Sequence, residues 1–75
     1  MKNLKSSFAQ RVKILRKKQN LTQVELAQLC GISISFLSNI ERGINTPSFN
    51  VLESLAKALK VQVKVLFDFE ASKGE

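Results

Sequence analysis

The sequence has little of the residue types that build metal centres, disulfide frameworks and hydrolytic sites. It contains no histidine, one cysteine (Cys30) and no apolar run near the roughly 18–20 residues of a membrane span. Without histidine, and with a lone thiol, the chain lacks the residues of a zinc finger or of a nucleophile–histidine pair. We therefore expect no enzymatic activity, no metal, no cofactor and no small-molecule ligand, and we interpret Cys30 as a small core residue.

Acidic residues are absent from the first 24 positions, where seven lysines and arginines accumulate. A field of one sign suits a polyanion such as nucleic acid. The alternative is a solvated helix face that only adds solubility. No apolar stretch of the signal-peptide type follows the N-terminal Met-Lys-Asn-Leu-Lys, and a lone cysteine does not indicate secretion. We therefore expect a cytoplasmic chain with no membrane partner.

Apolar periodicity and capping residues predict an all-α fold of five helices in a single domain over residues 1–75. Ser6 or Ser7 is expected to cap a first helix that begins near Phe8. Ser33 should cap a third helix that ends near residue 42, and Ser48 a fourth over about 49–60. Residues 61–65 alternate as a strand would, but a lone strand has no partner in a helical chain, so we predict a short fifth helix over 63–68. A flexible tail is expected over about 70–75.

The second helix has the clearest boundaries. Thr22-Gln-Val-Glu25 has the form of a capping box, and Gly31 can take the positive φ that ends a helix. The pattern places Leu26, Leu29 and Cys30 on the inward face. A short helix, a turn with glycine and another short helix form a helix-turn-helix, here at about 22–42. Ala27 is small enough for the close crossing, and Leu37 and Ile40 can fix its angle.

The segment TQVELAQLCGISISFLSNIERG at 22–43, followed by NTPS at 45–48, resembles the lambda-repressor-like helix-turn-helix class. This is the Cro and phage-repressor type, also called the XRE class, and the likeness runs from about residue 8 to 67. The resemblance implies a five-helix domain that binds double-stranded DNA as a homodimer on a palindromic operator. It also implies a transcriptional regulator, either a repressor or a restriction–modification controller protein.

The resemblance assigns roles by position. The third helix would read bases in the major groove, with Asn39 suited to an adenine edge and Ile34 to a thymine methyl group. The base-contacting positions are Ile34, Ser35, Ser38 and Asn39. Phosphate contacts are expected from Thr22, Gln23, Arg42, Asn45 and Thr46, to which the basic first helix adds Arg11 and Lys17. Arg16 and Glu41 match an ion pair that joins the first helix to the third.

Two questions stay open at this stage. Phenylalanines are over-supplied near the end of so small a domain, so Phe67, with Leu66 or Val63, is expected to contribute to a dimer interface; the alternative is simple closure of the core. The second question is the partner. An antitoxin or other protein-binding regulator can use the same fold, and the outer face of the third helix decides between them, since polar Ser35, Ser38 and Asn39 favour DNA.

Overall fold

Four α-helices and one 3-10 helix make up the part of the chain that the structure, a computed structural model, describes, namely residues 3–70. The α-helices are α1 (Leu4–Lys18), α2 (Gln23–Cys30), α3 (Ile34–Glu41) and α4 (Phe49–Leu59), and the 3-10 helix spans Val63–Phe67. The predicted all-α fold is confirmed, but its last element is a five-residue 3-10 helix. The tail expected over about 70–75 lies, apart from residue 70, outside the described residues. Within 3–70 no helix combines the length and the hydropathy of a membrane span.

The first helix begins one turn earlier than predicted. Asn3 is its N-cap, with Oδ1 accepting a hydrogen bond from the Ser6 backbone N–H at 2.9 Å. Asparagine caps as well as serine does, so the prediction of a cap at Ser6 or Ser7 is wrong. The additional turn brings Leu4 into α1, where its side chain remains exposed.

The two helices of the helix-turn-helix have the predicted ends. Thr22 Oγ1 accepts from the Glu25 N–H at 3.1 Å while Glu25 Oε1 accepts from the Thr22 N–H at 2.8 Å, which completes the capping box. Gly31 takes φ +69°, and Ser33 then caps α3 by accepting from the Phe36 N–H at 2.9 Å. Only two residues, Ile32 and Ser33, therefore separate the glycine from α3. The short turn fixes the direction in which α3 leaves the fold.

Residues from every element meet in one core. The fully buried large side chains are Val12, Leu26, Leu37, Ile40, Leu55, Leu59 and Leu66. Ala27 is buried in the same cluster, as expected of a small residue where α2 and α3 contact each other. Leu29 was predicted to face the core, but this prediction is wrong, since its side chain is 62% exposed. Ile40 and Leu37 are buried on the inner side of α3, so its opposite side is left to solvent.

Candidate nucleic-acid interface

The outer side of α3 carries the four side chains that the sequence predicts as base-reading. Ile34 is 48% exposed, Ser35 is exposed, and Ser38 and Asn39 are half-buried. Within the described residues none of the three polar side chains makes a hydrogen bond, so their donors and acceptors are available. Helix side chains of this size can reach base edges in the major groove. The structure brings these four residues together, and their contacts with DNA stay a prediction.

The loop after α3 is held against the end of that helix. The backbone oxygen of Asn39 accepts from the N–H groups of Ile44 (2.9 Å) and Asn45 (3.2 Å), and Gly43 takes φ +75° to allow this return. As a result Arg42, Asn45 and Thr46 follow directly on α3. Arg42 and Thr46 are exposed, and Asn45 is half-buried. Their contact with DNA phosphates stays a prediction.

Glu41 is the centre of a polar network that joins three helices. Its Oε2 accepts from Arg16 Nε at 2.7 Å, and its Oε1 accepts from Arg16 Nη2 at 3.1 Å. The predicted ion pair is therefore present, and Arg16 Nη1 also donates to the Leu21 carbonyl at 2.8 Å. Oε1 of Glu41 further accepts from Gln23 Nε2 at 3.1 Å. This last bond could not be predicted from the sequence, because it depends on how closely α2 approaches the end of α3.

The N-terminus of α2 combines features that attract and repel an anion. The first N–H groups of a helix have no intrahelical acceptor, and the capping box occupies only those of Thr22 and Glu25. Gln23 keeps a second amide N–H beyond the one given to Glu41. The carboxylate of Glu25, however, lies beside the same turn and opposes a phosphate there. Contact of Thr22 and Gln23 with phosphate thus stays a prediction that depends on a small number of donors.

The basic first helix is less of a charged surface than its sequence suggests. Arg11 is only 4% exposed, and its Nε donates to the Val65 carbonyl at 3.0 Å, so it joins α1 to the 3-10 helix. The prediction that Arg11 contacts phosphate is therefore wrong, because a buried guanidinium is not presented to DNA. Lys17 is exposed as predicted. Lys13 was missed, although its spacing of four residues from Lys17 places both on one face of α1.

Lys13 and Arg42 line the same shallow depression between α1 and the end of α3. Two cations therefore stand next to α3, whose outer side carries the residues predicted to read bases. Positive side chains attract the negative phosphates of DNA whatever the base sequence. Lys13 is an additional candidate for phosphate contact.

The residues predicted for a dimer interface separate into two groups. Val63 and Phe67 are partly exposed and can meet a partner. Leu66 is fully buried in the core, so its assignment to the interface is wrong. The 3-10 turn directs Leu66 inward while its neighbour Phe67 faces outward, with its ring centroid 5.1 Å from that of Phe8. Core closure therefore holds for Leu66, while an interface role for Val63 and Phe67 stays a prediction.

Cys30 is half-buried at the end of α2, and burial raises the pKa of its thiol above the ordinary value of 9.0. Desolvation disfavours the thiolate, which is the form that reacts and binds metals. Among residues 3–70 no cluster of three or more cysteine, aspartate or glutamate side chains could hold a metal ion. The Cys30 environment is that of a packing residue.

Comparison with known proteins agrees with this geometry. The immunity repressor protein of Bacillus phage phi105 is 46% identical over 60 residues, which are 80% of this chain and 42% of the repressor. The restriction-modification controller protein C.AhdI from Aeromonas hydrophila superposes with a TM-score of 0.81 at 35% identity, covering 83% of this chain and 94% of that one. The structure of SinR, the master regulator for biofilm formation, in complex with DNA superposes with a TM-score of 0.77 at 39% identity. The match covers 81% of this chain and 98% of the SinR chain.

The chain therefore spans less than half of the phage repressor but nearly the whole of the controller and SinR chains. A family profile described as Helix-turn-helix (HTH_3) matches residues 12–66, which include all of α2 to α4 and most of the 3-10 helix. The matched region contains every residue of the outer side of α3. The chain belongs to this helix-turn-helix family of DNA-binding transcriptional regulators.

Proposed function

We propose that this chain is a sequence-specific transcriptional regulator that binds a palindromic operator as a homodimer. The observation that carries the proposal is the uncovered polar side of α3, where Ser35, Ser38 and Asn39 make no hydrogen bond within residues 3–70. The unpaired donors and acceptors on this side suit the polar edges of bases better than an apolar protein surface. A cytoplasmic location is part of the proposal, because a bacterial or phage regulator of this kind acts where the DNA is.

The proposal assigns base contacts and phosphate contacts to different residues. Asn39 presents an amide that can pair with both N6 and N7 of adenine, while Ile34 can contact a thymine methyl group. Ser35 and Ser38 can donate or accept, so they discriminate less. The phosphate contacts come from Thr22, Gln23, Arg42, Asn45, Thr46 and Lys17, with Lys13 added. They set register and affinity but read no sequence.

The regulatory role is that of a repressor or of a restriction–modification controller. Support for the first comes from the likeness to the phage immunity repressor, and support for the second from the likeness to C.AhdI, which extends over 94% of that chain. Both roles use the same contact with DNA. They differ in which promoter the operator overlaps, so the operator sequence is the measurement that separates them.

Selection of bound sites from random double-stranded DNA tests the proposal. We expect an enriched palindrome whose half-sites are one helical turn apart, about 34 Å. Affinity for the selected site should fall with salt, with a log–log slope near −0.9 for each phosphate neutralised. The matched control is the Ser35→Ala/Asn39→Ala double variant, which should keep the salt slope and lose the enrichment. Absence of any enriched site, or a slope near zero, would contradict DNA reading and favour a protein partner.

A further inference from the structure

An apolar groove of about 350 Å³ lies on the side of the molecule formed by α1, the α3–α4 loop and the 3-10 helix. Its apolar walls come from Leu4, Phe8, Leu52 and Phe67, with Pro47 from the loop. Leu4 and Phe67 are both exposed, so the walls are in contact with solvent. The Phe8–Phe67 ring contact fixes one wall in place. The groove is thus a defined apolar cleft in a small protein.

Phe49 follows the loop that lines this groove, two residues after Pro47. It is the first residue of α4 and is 85% exposed, the highest exposed fraction among the large apolar side chains described. Leu52, three residues further along α4, lines the groove, and residues with this spacing share one face of a helix. The chain therefore presents an aromatic projection and an apolar cleft on adjacent parts of one surface.

Charges beside the two features have opposite signs. Lys5 lines the groove, and Glu53 follows Phe49 by four residues, so it shares the Phe49 face of α4. Neither Lys5 nor Glu53 forms a salt bridge within residues 3–70. A second molecule that placed its Phe49 in the groove would bring its Glu53 toward Lys5.

We propose that Phe49 of one copy inserts into the groove of a second copy, and that the reverse contact forms at the same time. A two-fold axis makes a contact of this kind reciprocal, so one projection and one cleft on a single surface give two identical contacts. The proposal rests on the proposed homodimer and names the residues that form it. It also gives Phe67 its role, as a wall of the cleft that receives the partner's Phe49.

A second copy supplies what the groove lacks. Its Phe49 is a large apolar side chain that is 85% exposed, so it is free to enter an apolar cleft. The charges are also complementary between two copies, because Lys5 lines the groove of one and Glu53 shares the Phe49 face of α4 in the other.

Sedimentation equilibrium of the full chain tests the proposal. We expect Phe49→Ser to lower the dimer association constant at least about tenfold, since truncation of a central aromatic residue in an interface costs that much. Leu29→Ser is the matched control, because Leu29 is equally apolar, 62% exposed and located on α2; its association constant should stay within about twofold of the wild type. Thermal melting by circular dichroism checks that both variants fold. A monomeric wild type, or equal effects of the two substitutions, would overturn the proposal.

A charge-reversal cycle tests the pairing itself. Lys5→Glu and Glu53→Lys should each weaken association by about 2- to 30-fold, because the reciprocal contact contains two exposed ion pairs and each substitution removes both. The double variant should recover most of the wild-type constant, because it restores opposite charges. Losses that simply multiply would overturn the Lys5–Glu53 contact and with it this docking geometry.

DNA binding separates this proposal from the proposed function. Phe49→Ser should bind a single half-site with wild-type affinity and lose only the additional affinity that the full palindrome provides. If the wild type binds no DNA but Phe49→Ser abolishes the dimer, the docking proposal stands and the regulatory function fails. If the palindrome binds two copies of Phe49→Ser as cooperatively as the wild type, the docking proposal fails and the function stands.

Discussion

Arg16 on α1 holds Glu41 at the end of α3 through two parallel hydrogen-bonded contacts, Nε–Oε2 at 2.7 Å and Nη2–Oε1 at 3.1 Å. Their side chains are 11% and 1% exposed, so the charges are largely removed from water. A bidentate arginine–carboxylate pair restricts geometry as well as lowering energy. The pair therefore fixes the end of α3 relative to α1.

Loss of one partner of this pair should be costly. We expect Glu41→Ala to lower the free energy of unfolding by about 3 kcal/mol, because the Arg16 charge is left largely buried without its counter-ion. Urea denaturation followed by circular dichroism measures the change. The Arg16→Met/Glu41→Leu double variant should be more stable than Glu41→Ala, since it removes both charges. A double variant less stable than the single would contradict this account.

Asn39 and Gln23 should have different effects on DNA binding. Asn39→Ala should cost about 1–3 kcal/mol on the selected operator and relax preference at one base position, as expected for loss of a base contact. Gln23→Ala should weaken binding to all sequences about equally, because it removes a phosphate contact. Fluorescence anisotropy with operator and scrambled duplexes measures both. Equal losses of affinity for both variants on every duplex would contradict the division into base contacts and phosphate contacts.

Lys60 is a site where glycine should stabilise the fold. It ends α4 with φ +61°, a left-handed conformation that costs an L-residue other than glycine roughly 1 kcal/mol. Lys60→Gly is therefore expected to raise the free energy of unfolding by up to about 1 kcal/mol. Gly31→Ala is the matched reverse change, since φ is +69° and nothing lies within 4 Å of the added Cβ. Gly31→Ala should lower the free energy of unfolding by about 1 kcal/mol. An increase on this substitution would contradict the conformational argument.

The raised pKa of Cys30 gives a pH dependence with a definite sign. The folded chain holds the thiol proton to a higher pH than the unfolded chain, whose ordinary value is 9.0. The unfolded state thus loses more protons above pH 9, and stability should fall there as pH rises. Cys30→Ala should flatten this part of the stability curve. Alkylation of the native thiol should also be slow at pH 7; a rate that levels off below pH 9 would show the opposite shift.

Local signals predicted the helix ends well, and distant contacts explain what they missed. Thr22 with Glu25, Gly31, Ser33 and Ser48 each act within four residues, so their role is visible in the sequence. Asn3 was overlooked only because two serines follow it. Leu29 follows the buried Leu26 by three residues, so periodicity placed it inward, yet it is 62% exposed. Helical spacing gives the face of a residue but not which elements cover that face.

The site was predictable to a similar extent. The polar side of α3 follows from helical periodicity once Leu37 and Ile40 are taken as its inner side. The interior positions of Arg11 and Leu66 depend on the 3-10 helix packing against α1, a contact between residues 54 positions apart in the case of Arg11 and Val65. No pattern within α1 reveals that Arg11 is buried and bonded to the 3-10 helix instead of lying at the surface. Charge counted along the sequence therefore overstated the surface that DNA would meet.

The 3-10 helix limits how the DNA-reading segment can be transplanted. Its Leu66 is fully buried in the core, and its Val65 carbonyl accepts from Arg11. A fragment cut after α4 would carry the whole helix-turn-helix, yet it would expose the apolar surface that Leu66 covers and leave the Arg11 guanidinium without that acceptor. An engineer who wishes to move this specificity into another protein should graft the outer side chains of α3 onto an intact scaffold, because the excised segment would lose the support that orients it.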